Sequence, residues 1–408
     1  MTAVRTVLVS GASIAGPALA HWLHRYDIRA TVVEKAPAPR MGGHAIDVRG
    51  AAVDVAERMG VLDSLRASVT ETGRVVFVDT RGRPYADIAS TMGSGDDRSL
   101  EVVRGDLTRI LHEPTVEHTE YLYDDSITAL EETPEGVRVS FRRSEPRLFD
   151  LVVGADGLHS ETRRLTMGPE DDHARYMGAL ICIGGVPDRL GLDREARLYN
   201  EPGRAAGMIR SPRFDGAKGI ALLHAPDLNG IDRAPEADQK AFLLERFAGA
   251  GWECDRLLED LTHSPDFYFD SIKQIHLDRW HRGRVVLLGD AAHCPSPMSG
   301  QGTTLAMVGA YVLALELSRH ERLVSALHAY ETRMRPYVKA NQEIADTGIG
   351  FLAPRTRLGL TARNTLLRFG GLLTRLSGLD RRVVETAEAI DLDARPPADM
   401  AEGSDEGR

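Results

Sequence analysis

Cysteine is scarce in this chain of 408 residues: Cys182, Cys254 and Cys294 are odd in number, far apart and form no Cys-x-x-Cys pair, so neither a disulfide framework nor a zinc site is indicated. Positive charge is not in excess. Lys and Arg number 50 against 60 Asp and Glu, a net charge of -10, which offers no basic field to nucleic acid or an anionic membrane. No window approaches the ~18 consecutive apolar residues of a membrane span, and the strongest runs, Leu151–Val153 and Val285–Leu288, are strand-sized. Met1–Arg5 leads into a strand-like run without the basic and apolar regions of a signal peptide. A cytoplasmic location, no nucleic acid, no membrane and no metal are therefore expected.

What is present is ordinary globular composition, 42% hydrophobic and 27% charged. The length exceeds the roughly 100–200 residues of one domain, so two are expected. Val4–Ser10 reads as a buried strand, Pro17–Tyr26 as a helix and Arg29–Glu34 as a second strand, together one βαβ unit. A helix comes next over Ala51–Met59, with Gly60 placed as a C-cap. Alternating apolar and polar residues mark half-exposed strands at Val75–Asp79, Pro84–Ile88, Val137–Arg142, Gly178–Val186, Ala196–Asn200, Ala206–Arg210 and Gly219–His224, with one helix near Gln239–Gly249. Thr304–Glu316 and Leu323–Asp346 look helical, and a mostly helical stretch to about Ile390 is broken by Pro354 and Gly370-Gly371. Asp391–Arg408 is acidic and nearly without large apolar residues, the composition of a disordered tail.

Three segments carry chemistry. Gly11-Ala12-Ser13-Ile14-Ala15-Gly16 joins the first strand to the first helix, where a dinucleotide pyrophosphate meets free backbone N–H groups and a positive helix end. Ser13 stands where such turns usually carry a middle glycine. Glu34 closes the second strand, the place of a carboxylate that binds ribose hydroxyls. The second segment is a buried strand ending in Asp156-Gly157, with Ser160 and Arg163 beyond it. The third runs Gly289-Asp290-Ala-Ala-His293-Cys294-Pro-Ser-Pro297-Met-Ser-Gly300-Gln-Gly302-Thr303-Thr304: Asp290 can accept from a ribityl hydroxyl, and the N–H groups of Gly302–Thr304 can stabilise negative charge on a reduced flavin ring.

In this order, over about residues 4–345, the segments resemble the FAD-dependent aromatic hydroxylases, the single-component flavoprotein monooxygenases that include para-hydroxybenzoate hydroxylase. Gly42-Gly43-His-Ala-Ile-Asp47 and Glu101-Val-Val-Arg104-Gly-Asp106-Leu107 add a likeness to the tetracycline-inactivating and tailoring hydroxylases. The resemblance implies an α/β fold with a Rossmann-like FAD-binding domain, the glutathione-reductase-like variant, carrying an inserted mixed β-sheet substrate domain and C-terminal helices. It divides the chain into an FAD-binding domain over 1–72, 98–176 and 276–340, a substrate domain over 73–97 and 177–275, C-terminal helices over 341–390, and the acidic tail over 391–408. By the same resemblance Asp47 and Arg104 contact FAD, Arg40 meets NADPH, and the FAD contacts extend to Ile14, Ala15, Lys35, Asp156, Pro297 and Gly300. Two departures stand out: Gly309-Ala310 replaces an Asp-Ala pair, and Thr303-Thr304 replaces Ala/Val-Asn.

The implied activity is that of a monooxygenase. NADPH or NADH binds transiently, since no second Gly-rich turn exists, and reduces noncovalent FAD; one atom of O2 then passes through a flavin C4a-hydroperoxide to an aromatic, phenolic or polyketide-type molecule. No side chain stands out as a catalytic base, so the flavin carries the chemistry; His293 reads as scaffold and Cys294 as a small buried residue. The substrate is expected between the inserted sheet and the flavin, touched by Met298 from the Gly-rich loop and by Arg197, Met208 and Arg210 from the sheet. A monomer or weak homodimer is expected. An O2-independent FAD reductase or dehydrogenase, or a flavoprotein that sequesters a ligand without turnover, remains as an alternative.

Overall fold

The computed structural model describes residues 4–40, 42–89, 98–369 and 385–394. Its centre is a six-stranded sheet in the order His281–Arg282, Val285–Leu287, Leu151–Gly154, Thr6–Ser10, Arg29–Glu34, Glu120–Tyr123. All neighbours are parallel except the edge pair His281–Arg282 with Val285–Leu287. Both faces are covered, which is why these strands read as unbroken apolar runs. Val7, Val9 and Val32 point to a core shared with the helices Ala15–Arg25 and Gly302–Arg319. Leu8, Val33 and Val152 point the other way, onto the antiparallel sheet Ile127–Thr133, Gly136–Phe141 and Arg147–Phe149.

A second, seven-stranded sheet has the order Tyr268–Ile275, Ala174–Val186, Ala217–His224, Arg204–Arg210, Glu195–Glu201, Arg74–Val78, Pro84–Ala89. It is antiparallel apart from Glu195–Glu201 beside Arg74–Val78. Its alternating sequences divide into two buried faces. Helices Glu236–Phe247 and Cys254–Thr262 cover one, where Val76, Cys182, Met208 and Leu223 lie. The other, with Ala179, Ile181, Ala205 and Leu222, meets Met298 and the end of the long helix Leu323–Leu352.

Several elements escaped the reading of the sequence, among them strands Glu120–Tyr123, Ile127–Thr133 and Tyr268–Ile275 and helices Arg104–His112 and Glu161–Met167. Helix Cys254–Thr262 was another, although Cys254, Leu257, Leu258 and Leu261 recur at helical spacing and are all buried. So was a two-stranded antiparallel ribbon, Ala45–Arg49 with Ser99–Val103. In the segment expected to be a tail, Leu392 is buried, Asp393 pairs with Arg58 at 2.8 Å, and Ala394 accepts from Arg319 at 2.9 Å. Residues 395–408, like Gly370 and Gly371, lie outside the described residues. Among those described, no helix is long and apolar enough to cross a membrane, and no group of His, Cys, Asp and Glu could hold a metal ion.

Candidate active site

The first turn is built so tightly that only glycine fits its ends. Gly11 has φ +107°, and a Cβ there would sit 2.4 Å from the Ala155 carbonyl oxygen; at Gly16 it would sit 1.9 Å from the Gly11 carbonyl oxygen. The Ala12 and Ala36 amides donate to the two carboxylate oxygens of Glu34, each at 2.9 Å, so the acid is oriented against the turn. Helix Ala15–Arg25 starts with no side-chain cap and no acidic residue in its first turn, which leaves its positive end to an anion. Arg104 reaches the same turn, donating from Nη2 to Ser13 Oγ at 3.2 Å. Lys35 and Arg40 are exposed.

Alternation gives the ribbon one apolar face and one polar face. Val48, Leu100 and Val102 enter the core, while Asp47, Arg49, Ser99 and Glu101 share the opposite side. Arg49 Nη2 pairs with Asp47 Oδ1 at 3.1 Å, Arg49 Nε donates to Ser99 Oγ at 3.1 Å, and the Arg49 amide donates to Thr304 Oγ1 at 3.2 Å. Gly300, at φ +63°, lies over them: a Cβ there would be 3.4 Å from both Asp47 Oδ2 and Arg49 Nη1.

Asp290 begins a one-turn helix after the strand Val285–Leu287. Burial pushes its carboxyl up in pKa while Arg104 pulls it down, and Oδ1 would lie 3.7 Å from a Cβ on Gly302. Helix Gly302–Arg319 also begins without a side-chain cap, with Thr303 and Thr304 buried. Pro297 is exposed just before this loop. These contacts bring the first turn, Glu34, Asp47, Arg104, Asp290 and the 297–304 loop together, and the space they border is the candidate groove.

Asp156 works differently. Its carboxylate accepts from the Thr162 amide and hydroxyl, each at 2.9 Å, and from Ser160 Oγ, so it fixes the turn that faces the groove. Arg163, 1% exposed, donates to Ala291 O at 3.0 Å and to Leu158 O at 2.6 Å, and so locks the Asp156 turn to the Asp290 turn. His293 packs its ring 4.7 Å from Trp280, and burial pushes its pKa down to about 3. The packing against Trp280 and the downward shift both favour the neutral ring.

The wall opposite the 297–304 loop is not lined by Arg197, Met208 and Arg210. Arg197 and Met208 are direct cross-strand partners and Arg210 shares their parity, which places all three on the face covered by Glu236–Phe247 and Cys254–Thr262. Met208 is 3% exposed there, Arg197 donates to Glu195 at 2.7 Å, and Arg210 to Ser211 O and Phe214 O at 2.6 Å. Only Met298 of the four reaches the groove side. It packs against the aliphatic cluster that includes Ile181, Leu222 and Ile349, at whose edge Ile183, Ile220 and Leu352 also lie. The alternation was legible; which parity faced inward was not, since one step along a strand reverses it.

Residues 5–180 and 268–345 match the family model of an FAD binding domain. A flavin-dependent monooxygenase of an unknown prokaryotic organism is 41% identical over 346 residues, 84% of this chain and 89% of that protein. Another flavin-dependent monooxygenase, from Legionella longbeachae, is 36% identical over 83% of this chain and 87% of its own. The crystal structure of tetracycline destructase Tet(55) superposes with a TM-score of 0.84 at 36% identity, covering 97% of this chain and all of that one. This chain belongs to the flavin-dependent monooxygenases.

The groove fits the cofactor of that family. Two uncapped helix ends suit a pyrophosphate and an electron-rich ring, and Glu34 and Asp290 are carboxyl groups of the kind that accept from sugar and ribityl hydroxyls. The monooxygenase carries FAD. Arg49 was passed over in the sequence and Glu101 was given no role there; the signal that finds both is the shared alternation of Ala45–Arg49 and Ser99–Val103.

Proposed function

We propose that the chain oxidises an aromatic or polyketide-type small molecule, inserting one oxygen atom of O2 with NADPH or NADH as reductant. The observation that carries this reading is the convergence of Asp47, Arg104, Asp290 and the 297–304 loop on one groove beside an aliphatic wall. FAD, when bound, supplies hydride acceptance and O2 activation. The chain's own work is to bind, orient and exclude water.

In this reading the first turn, with Glu34, holds the AMP end, Arg104 and Asp290 hold the middle, and the Gly302–Thr304 amides face the ring. The exposed Arg40 meets the reductant. Met298, Ile181, Ile183 and Ile220 form a wall that excludes water and accepts an apolar ring system. The likeness to a tetracycline destructase puts tetracycline-like polyketides beside simple phenols in the first panel.

The test is NADPH oxidation by the purified yellow protein with that panel, in air and without O2, followed by mass spectrometry. Substrate-stimulated oxidation and a product one oxygen atom heavier are expected, in air alone. Equal turnover without O2 would identify a reductase, and saturable binding without turnover a sequestering protein; either overturns the reading.

A further inference from the structure

Glu101 is 6% exposed on the polar face of the ribbon, directly across from Asp47. Two carboxyl groups and one guanidinium, Arg49, therefore share this buried face, with Gly300 over Asp47 and Arg49 at 3.4 Å. One cation can balance one carboxylate. Two ionised carboxylates held this close and this dry repel, so the second is stable only with a proton on it.

The surroundings of Glu101 set how firmly that proton is held. Thr70 donates from its hydroxyl to Glu101 Oε2, and the Thr70 amide donates to the Glu101 carbonyl at 2.9 Å. Ser211 Oγ in turn donates to the Thr70 carbonyl, tying the ribbon to the seven-stranded sheet. The charged groups acting on Glu101 are Asp47 and Arg49, both from the facing strand; Thr70 and Thr72 add neutral hydrogen bonds. Burial, opposed by the Thr70 bond and reinforced by the Asp47 charge, pushes Glu101 up to about 7, and burial also raises Asp47 against the pull of Arg49. Both shifts run in the direction that favours a proton on the pair.

We propose that Glu101 is a positioning residue for the oxidation, forming with Asp47 a carboxyl pair that takes up one proton when the neighbouring cofactor is reduced. The balance is simple. Were FAD bound there and reduced by hydride from the nicotinamide, it would gain two electrons and one proton and with them a negative charge; the Asp47–Glu101 pair, beside Gly300, would take one further proton from solvent to offset that charge and would release it on reoxidation.

This rests on the FAD-dependent function proposed for the same site, and two measurements separate the failure of one from the other. In the holoenzyme, the flavin potential is titrated against pH for wild type and Glu101→Gln, whose amide keeps shape and cannot ionise. Between about pH 6 and 8 the wild type is expected to take up one more proton per flavin reduced than the variant; equal slopes in two proteins with equal flavin content would overturn the proposal. The second measurement is a pH titration by difference infrared spectroscopy of the purified protein with and without FAD. A protonated-carboxyl band that fades as pH rises past about 7 is expected in wild type, in both samples, and its disappearance in Glu101→Gln. No such band in wild type sinks the pair whether or not FAD binds, and if Glu101→Gln fails to fold, Glu101→Asp is expected to retain the band at a shifted midpoint, an unshifted one counting against the proposal. A chain that shows the band but binds no flavin refutes the FAD function and with it the coupling.

Discussion

Gly16 has no room for a methyl group, because its neighbour in space is a backbone carbonyl 1.9 Å from the position a Cβ would take, and a backbone atom cannot swing aside. Gly16→Ala is expected to open the first turn, lower stability by about 1–3 kcal/mol and strip flavin on purification. Denaturant unfolding and the absorbance ratio of flavin to protein check both. Glu34→Ala leaves the backbone intact but removes the acceptor for Ala12 N, so flavin loss with a smaller stability change is expected.

His159 bridges Asp270 at 3.1 Å and Glu170 at 2.7 Å. The Asp270 hydrogen bond, then that of Glu170, raises its pKa to about 9. A folded value above the unfolded one means the stabilisation is fully present below about pH 6.5 and lost as pH rises through about 9. The ring is half exposed, so the effect is on the order of 1 kcal/mol after solvent screening. Urea unfolding of wild type and His159→Gln should differ at about pH 6 and converge at about pH 10; a constant gap would contradict the assignment.

Among the elements, helix Cys254–Thr262 depends on close approach to the sheet. Leu261 is fully buried, and its Cδ2 would lie 3.2 Å from a Cβ on Gly184 and 3.0 Å from one on Gly219. These strand glycines leave the space the helix fills. Leu261→Ala is expected to cost about 2–5 kcal/mol without altering flavin content. On the other face, Met298→Ala should raise KM for an apolar substrate several-fold with the flavin spectrum unchanged, because Met298 packs against the aliphatic wall. Steady-state kinetics on the best substrate of the panel separates the two faces.

For the molecule as a whole, the groove draws on the parallel sheet, the ribbon and the loop entering helix Gly302–Arg319, so a bound cofactor joins parts far apart in sequence. FAD at a hundredfold excess over its Kd should stabilise the fold by about 2.7 kcal/mol. Hydrogen exchange is expected to slow at residues 11–16, 47–49 and 300–304 and to stay unchanged in 254–262. Equal slowing everywhere would point to global stabilisation without a local site.

Sequence by itself determined the features whose cause is local: the glycines that a turn permits, the acid closing a strand, the helical and strand periodicities, and the order of three motifs that match FAD-dependent relatives. Tertiary structure decided what depends on pairing over long separations. Strand parity placed Arg197, Met208 and Arg210 away from the groove, because a single step reverses the face and no local signal says which face is covered. The charge state of the Asp47–Glu101 pair was likewise invisible, since a carboxyl group's proton is fixed by burial and neighbours that only the folded chain assembles.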